Sequence, residues 1–123
     1  KIRDVDQMSI KEIGSALRKT SRLCRDLKID KKEFFGGSMT ISSLGGIGGT
    51  FFTPIINPPE VAILGVGKSF DRLVKVNDKF VSRKILPISL SYDHRIIDGA
   101  EGARFCVYLG KCLGKDFAFK LAV

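Results

Sequence analysis

The 123-residue chain is as informative in what it lacks as in what it holds. No apolar run is long enough to cross a bilayer, since each is cut short by glycine or proline, and no secretory leader is recognisable. No membrane contact is therefore expected, and a cytoplasmic or organelle-matrix location is compatible with this. Cysteine is scarce and unpaired in pattern. Cys24, Cys106 and Cys112 are odd in number and form no CxxC, so a disulfide framework and a clustered zinc site are both disfavoured, and no metal is expected. Each lies in an amphipathic stretch, which predicts buried free thiols on helices in a reducing compartment. Long basic runs are missing too: none exceeds two residues, although the net charge is +8. Residues 1–36 carry ten Lys/Arg and six Asp/Glu, and 60–123 carry eleven and seven. Mixed signs in both halves describe a solvated surface, or one that meets a small anion or an acidic partner, and they argue against nucleic acid.

Charge itself is absent from Phe34 to Pro59, 26 residues in a chain that is 28% charged. An ordinary surface loop of that length would carry charge, so the segment is expected to be covered, by the rest of the fold or by another subunit. Within it "MTIS" (39–42) reads as a strand, "SLGGIGGT" as a glycine-rich loop and "FFTPIINPP" as an extended segment.

The patterned remainder fits one domain with its own core. Ser9 and Glu12 make a capping box, after which Ile10, Ile13, Leu17, Thr20, Cys24 and Leu27 keep the 3,4 spacing of a helix over roughly 10–28. "VAILGVG" (61–67) is unbroken apolar sequence, hence a strand buried on both faces. "FDRLVKV", "ND" and "KFVSRKILPISLSY" alternate around a two-residue turn, which predicts a hairpin whose second arm runs on to Tyr92. Asp98 and Glu101 form another capping box, opening a helix to Gly114 with Ala100, Ala103, Val107 and Leu113 on its core face.

Two phosphate-binding patterns fail. "GVGKS" (65–69) has Ala62 where a P-loop needs glycine and is followed by strand sequence, and "GGIGGT" opens no helix. No G-x-S-x-G elbow surrounds Ser42 or Ser43. His94, the only histidine, lies between an apolar strand and a capped helix, with Asp93 before it and Asp98 four residues on. A general base and a turn histidine with local hydrogen bonds fit that spacing equally; Asp98 as a simple cap and Asp93 as a turn residue fit it too.

"SLSYDHRIIDGAEGARF" resembles the D-H-R-x-x-D-G signature of the dihydrolipoamide acyltransferases, the catalytic cores of 2-oxo acid dehydrogenase complexes, and "MTISSLGGIGGTFFTPIINPPEVAILGVGK" resembles their second characteristic block, in the expected order. The glycine-rich block is most similar to the acetyl-transferring, pyruvate-type branch. The resemblance implies transfer of an acetyl group between dihydrolipoamide and coenzyme A, both as substrates, with His94 as general base, Ser42 stabilising the oxyanion and Asp98 in a supporting position. It implies an α+β, two-layer fold like that of chloramphenicol acetyltransferase, a mixed sheet flanked by helices. It also implies a homotrimer within a larger core, in which the histidine of one subunit faces the serine of the next, alongside decarboxylating dehydrogenase and dihydrolipoamide dehydrogenase subunits. On the same grounds residues 1–123 correspond to the C-terminal part of the catalytic domain. The fold would then be incomplete at its N-terminal side, and the lipoyl domain that carries the lipoyl group and the peripheral subunit-binding domain would both be absent. A catalytically silent assembly fragment is the alternative this leaves open.

Overall fold

The computed structural model describes residues 1–114 and Phe117, and the chain divides into two compact units, Lys1–Ser38 with Leu109–Val123, and Met39–Tyr108. In the first unit helix α1 spans Ile10–Arg25. Its capping box is complete: the Glu12 N–H donates to Ser9 Oγ (3.3 Å), and the Ser9 N–H donates to Glu12 Oε2 (2.8 Å). The Ser9 hydroxyl, donating to Glu12 Oε2 at 2.7 Å, and then the Ser9 N–H hold the Glu12 carboxyl below its ordinary pKa. The covered face runs through Ile13, Ala16, Thr20, Leu23 and Cys24, whereas Ile10 and Leu17 of the expected stripe are exposed. The helix also ends before Leu27. The Lys28 N–H donates to the Leu23 carbonyl and the Leu27 N–H to that of Cys24, a Schellman closure that turns Leu27 out at φ 55°, 91% exposed.

The second unit holds all five strands found among the described residues. β1 (Thr40–Ser43), β2 (Ala62–Val66) and β5 (Ile88–Tyr92) form a sheet in the order β1-β2-β5, while β3 (Phe70–Val76) and β4 (Lys79–Ile85) pair only with each other. β1 is parallel to β2 and β5 antiparallel to it, so the sheet is mixed, as the resemblance implies. The hairpin falls where expected, with Asn77 and Asp78 both at positive φ (47° and 61°) as its two-residue turn demands. Its second arm is shorter than expected. Pro87, lacking an N–H for a ladder, separates β4 from β5, and its buried carbonyl instead accepts from the Gly67 N–H (3.0 Å).

The buried apolar core among the described residues is Ala62, Ile63 and Leu64, all in β2, which confirms the central strand but is far less core than expected. The three cysteines are free and only half-buried, not fully buried. Helix α2 spans Gly99–Cys112, with Gly102 buried and Cys106 half-buried; the expected core positions Ala100, Ala103, Val107 and Leu113 are exposed. The side facing the sheet is set by Gly102, whose missing side chain lets the helix close on β5, and a hydrophobicity count does not register a glycine. The uncharged segment leaves Phe34, Phe35, Ile41, Ile47, Phe51 and Ile55 58–89% exposed, so this chain's own fold does not cover it. Backbones approach closely beside it: the Lys68 N–H donates to the Gly49 carbonyl (3.0 Å), and Gly67, just after β2, lies so tight against the Thr50 carbonyl that no Cβ fits.

Candidate active site

β5 ends at Tyr92, paired with Ala62, and the next residue is anchored by the Asp93 N–H donating to the Val61 carbonyl (2.9 Å). The chain then turns tightly, with the N–H groups of Ile96 and Ile97 both donating to the Asp93 carbonyl. His94 occupies this turn with its side chain exposed, its ring 5.8 Å from that of Tyr92 at an interplanar angle of 37°. Asp93 acts as a turn residue: its Oδ1 accepts from the Arg95 N–H (3.0 Å), and its carboxylate holds the Arg95 guanidinium through Nε and through the nearer terminal nitrogen at 2.6 Å. Those bonds depress the Asp93 carboxyl to about 2 and raise the Arg95 pKa. Asp98 caps α2, its Oδ1 accepting from the Glu101 N–H at 2.7 Å; the reciprocal half of the box is not formed among the described residues.

Ser42 lies elsewhere. It is the third residue of β1, half-buried and level with Gly65 of β2. Asp93 is level with Val61, on the opposite side of β2. Four residues at about 3.3 Å and two strand spacings of about 4.8 Å separate the Ser42 and Asp93 backbones by about 16 Å. The faces differ as well. Ser42 shares the face of Gly65, where the ring of Phe52 lies, whereas Tyr92 projects from the other face onto α2. The fold therefore brings His94 and Asp98 together in one strand-turn-helix and keeps Ser42 of the same chain away from them. Among the described residues no group of three or more His, Cys, Asp or Glu side chains converges on a metal-sized site, and no helix is long and apolar enough to cross a membrane.

The family model described as 2-oxoacid dehydrogenases acyltransferase (catalytic domain) matches residues 1–118. The chain belongs to this acyltransferase family. The dihydrolipoyllysine-residue acetyltransferase component of the pyruvate dehydrogenase complex of Cupriavidus necator is 51% identical over 94% of this chain and 21% of its own length. The succinyltransferase component of the 2-oxoglutarate dehydrogenase complex of Rickettsia typhi is 43% identical over 86% of this chain and 27% of its own. Among solved structures, the dihydrolipoamide acetyltransferase of Azotobacter vinelandii superposes with a TM-score of 0.89 at 48% identity, covering 95% of this chain and 48% of that one. The chain thus spans about a fifth of the first of these relatives and about half of the solved one. The Azotobacter acyltransferase was studied for the catalytic roles of a serine, a histidine and an asparagine, which lie 52 and then 4 positions apart. Ser42, His94 and Asp98 have the same spacing.

Two features around His94 are not marked by sequence pattern. The bidentate Asp93–Arg95 pair depends on rotamers that residue spacing does not specify. The seat of Tyr92 on Gly102 joins residues ten apart, and glycine in a helix is by itself read only as a weak helix former.

Proposed function

We propose that this chain is part of the catalytic domain of a dihydrolipoamide acetyltransferase, with residues 1–123 as its C-terminal part, and that it transfers an acetyl group between coenzyme A and dihydrolipoamide at a site shared by two copies. The spacing of Ser42, His94 and Asp98 supports the residue roles. The observation that carries the shared site is the separation of Ser42 from His94 across β1-β2-β5. One chain cannot bring both to a single carbonyl, and a cyclic assembly with heterologous contacts can.

In that site an imidazole nitrogen of His94 accepts the proton of the attacking thiol. The sulfur adds to the thioester carbonyl, the oxyanion of the tetrahedral intermediate is held by the Ser42 hydroxyl, and collapse releases the other thiol, which takes the proton back from the imidazolium. Free thiols are mostly protonated at neutral pH, with a pKa of about 8.5, so the base directly raises the fraction of nucleophile. Asp98 maintains the start of α2 behind the histidine. The glycine-rich block, similar to the acetyl-transferring branch, supports acetyl as the acyl group. The larger partners are the decarboxylating and dihydrolipoamide dehydrogenase components, with the lipoyl group carried on a separate domain.

The test measures acetyl transfer from acetyl-CoA to dihydrolipoamide. His94→Ala should lower turnover by roughly 10²–10⁴-fold with coenzyme A binding unchanged. Ser42→Ala and His94→Ala chains, each impaired alone, should regain about a quarter of wild-type activity when unfolded together and reassembled, because random assortment sets an intact serine against an intact histidine at about one junction in four. Recovery absent from the mixture would place the site within one chain and overturn the shared arrangement.

A further inference from the structure

We infer that Tyr92 is a positioning residue for His94, and that Gly102 shapes the seat it occupies. The inference rests on the reading of His94 as the proton acceptor and concerns what holds that imidazole in place. Among the described residues neither ring nitrogen of His94 has a hydrogen-bond partner, and the side chain is exposed, so hydrogen bonding within the chain does not fix its orientation. Its packed neighbour is the ring of Tyr92, 5.8 Å away between centroids.

Tyr92 is itself tightly constrained. As the last residue of β5 it is paired with Ala62 of the central strand, and its side chain points to the face on which α2 begins. There the ring lies flush on the first turn of the helix. A Cβ at Gly102 would stand 2.8 Å from Tyr92 Cε1 and 3.1 Å from Cζ, closer than packed carbon atoms approach, so only glycine fits beneath the ring. Gly102 is the one buried residue of α2. A Cβ at Gly99 would lie 3.9 Å from both His94 Nε2 and Tyr92 Oη, so these two polar atoms border the same space above the helix start. The Asp98 cap fixes that start, the Tyr92–Gly102 contact sets its distance from the sheet, and the Tyr92 ring then walls one side of the imidazole. Reaction rates depend steeply on such placement, with a displacement of about 1 Å costing up to roughly 10²-fold.

His94 is the only histidine in the chain, so its Cδ2 and Cε1 protons give unique signals in a magnetic-resonance spectrum. In Tyr92→Leu those signals should move as the neighbouring ring current disappears and broaden as the imidazole samples more rotamers, whereas Tyr92→Phe, which keeps the ring, should leave them close to the wild type. Gly102→Ala, which pushes the ring away while keeping it, should shift them as well. In the transfer assay Tyr92→Leu and Gly102→Ala should lower kcat by roughly 10-fold with KM within about threefold, and Tyr92→Phe should restore most of it. A sharp, single-rotamer His94 signal in Tyr92→Leu with wild-type kcat would overturn the inference. So would a loss of kcat matched by loss of amide-exchange protection throughout α2, which would make Tyr92 a support of the helix alone. Should His94→Ala retain full transfer activity, the proton-acceptor reading falls, while the spectra still report whether Tyr92 holds the ring.

Discussion

At the scale of single residues, the turn that presents His94 is secured by its neighbours and not by the histidine. Asp93 does three things at once: its N–H continues the β5 ladder to Val61, its carbonyl closes the turn, and its carboxylate grips Arg95. Hydrogen bonds from Arg95 lower its pKa to about 2, against an ordinary value of about 3.9 for aspartate. A carboxyl whose folded pKa is depressed adds stability above its unfolded pKa and loses it as pH falls through the folded one. The contribution of this pair is therefore complete above about pH 4 and fades toward pH 2. Arg95 is 88% exposed, so water and salt screen the pair and its effect on global stability is small. The expected observable is local. A carbon-detected titration should give Asp93 a midpoint near 2, and Arg95→Ala should return it toward about 4. An ordinary midpoint in the wild type would show that the fork does not persist in solution.

At the scale of elements, strands were legible where composition and pairing agree. The unbroken apolar run 61–67 became the central strand, and Asn77-Asp78 set the hairpin register, because burial on both faces and positive φ each demand particular residues. The turn at D-H-R was legible as structure for a similar reason, since a strand end, a turn and a capped helix are all local. Legibility failed where local periodicity competes with backbone closure. Leu27 continues the 3,4 pattern of α1, yet it is the left-handed residue of a Schellman closure, a position that glycine fills without strain. Its side chain is 91% exposed, so truncation removes almost no packing. The left-handed conformation costs a branched L-residue about 1 kcal/mol, partly offset by the greater freedom of glycine in the unfolded chain. Leu27→Gly should accordingly raise stability by about 0.5 kcal/mol, read as a higher urea midpoint with unchanged slope. A lower midpoint would mean that Leu27 has contacts outside this chain's own fold. The α2 face was illegible for the opposite reason, since its decisive residue, Gly102, contributes by having no side chain.

At the scale of the whole molecule, the site proposed to be shared by two copies would account both for the uncharged stretch from Phe34 to Pro59 and for the split between Ser42 and His94. Six large apolar side chains in that stretch are 58–89% exposed, although among the described residues three apolar side chains form the buried core. Burying one such side chain is worth about 1.5–3 kcal/mol, so leaving six in water is costly on the scale of a domain's net stability of about 5–15 kcal/mol. Ile47 and Ile55, each 89% exposed, offer the cleanest test, because replacing them disturbs nothing inside the folded chain. A carboxylate in a closed apolar junction would be desolvated without a partner, at a cost of a few kcal/mol. Ile47→Asp and Ile55→Asp should each weaken self-association by at least tenfold in sedimentation velocity, with the circular dichroism of the dissociated chain unchanged. Transfer activity should fall in step with the associated fraction, since a copy without its neighbour keeps His94 but has no serine facing it. Association unaffected by either charge would assign the segment a different covering, and activity surviving in a dissociated chain would return both catalytic groups to a single copy.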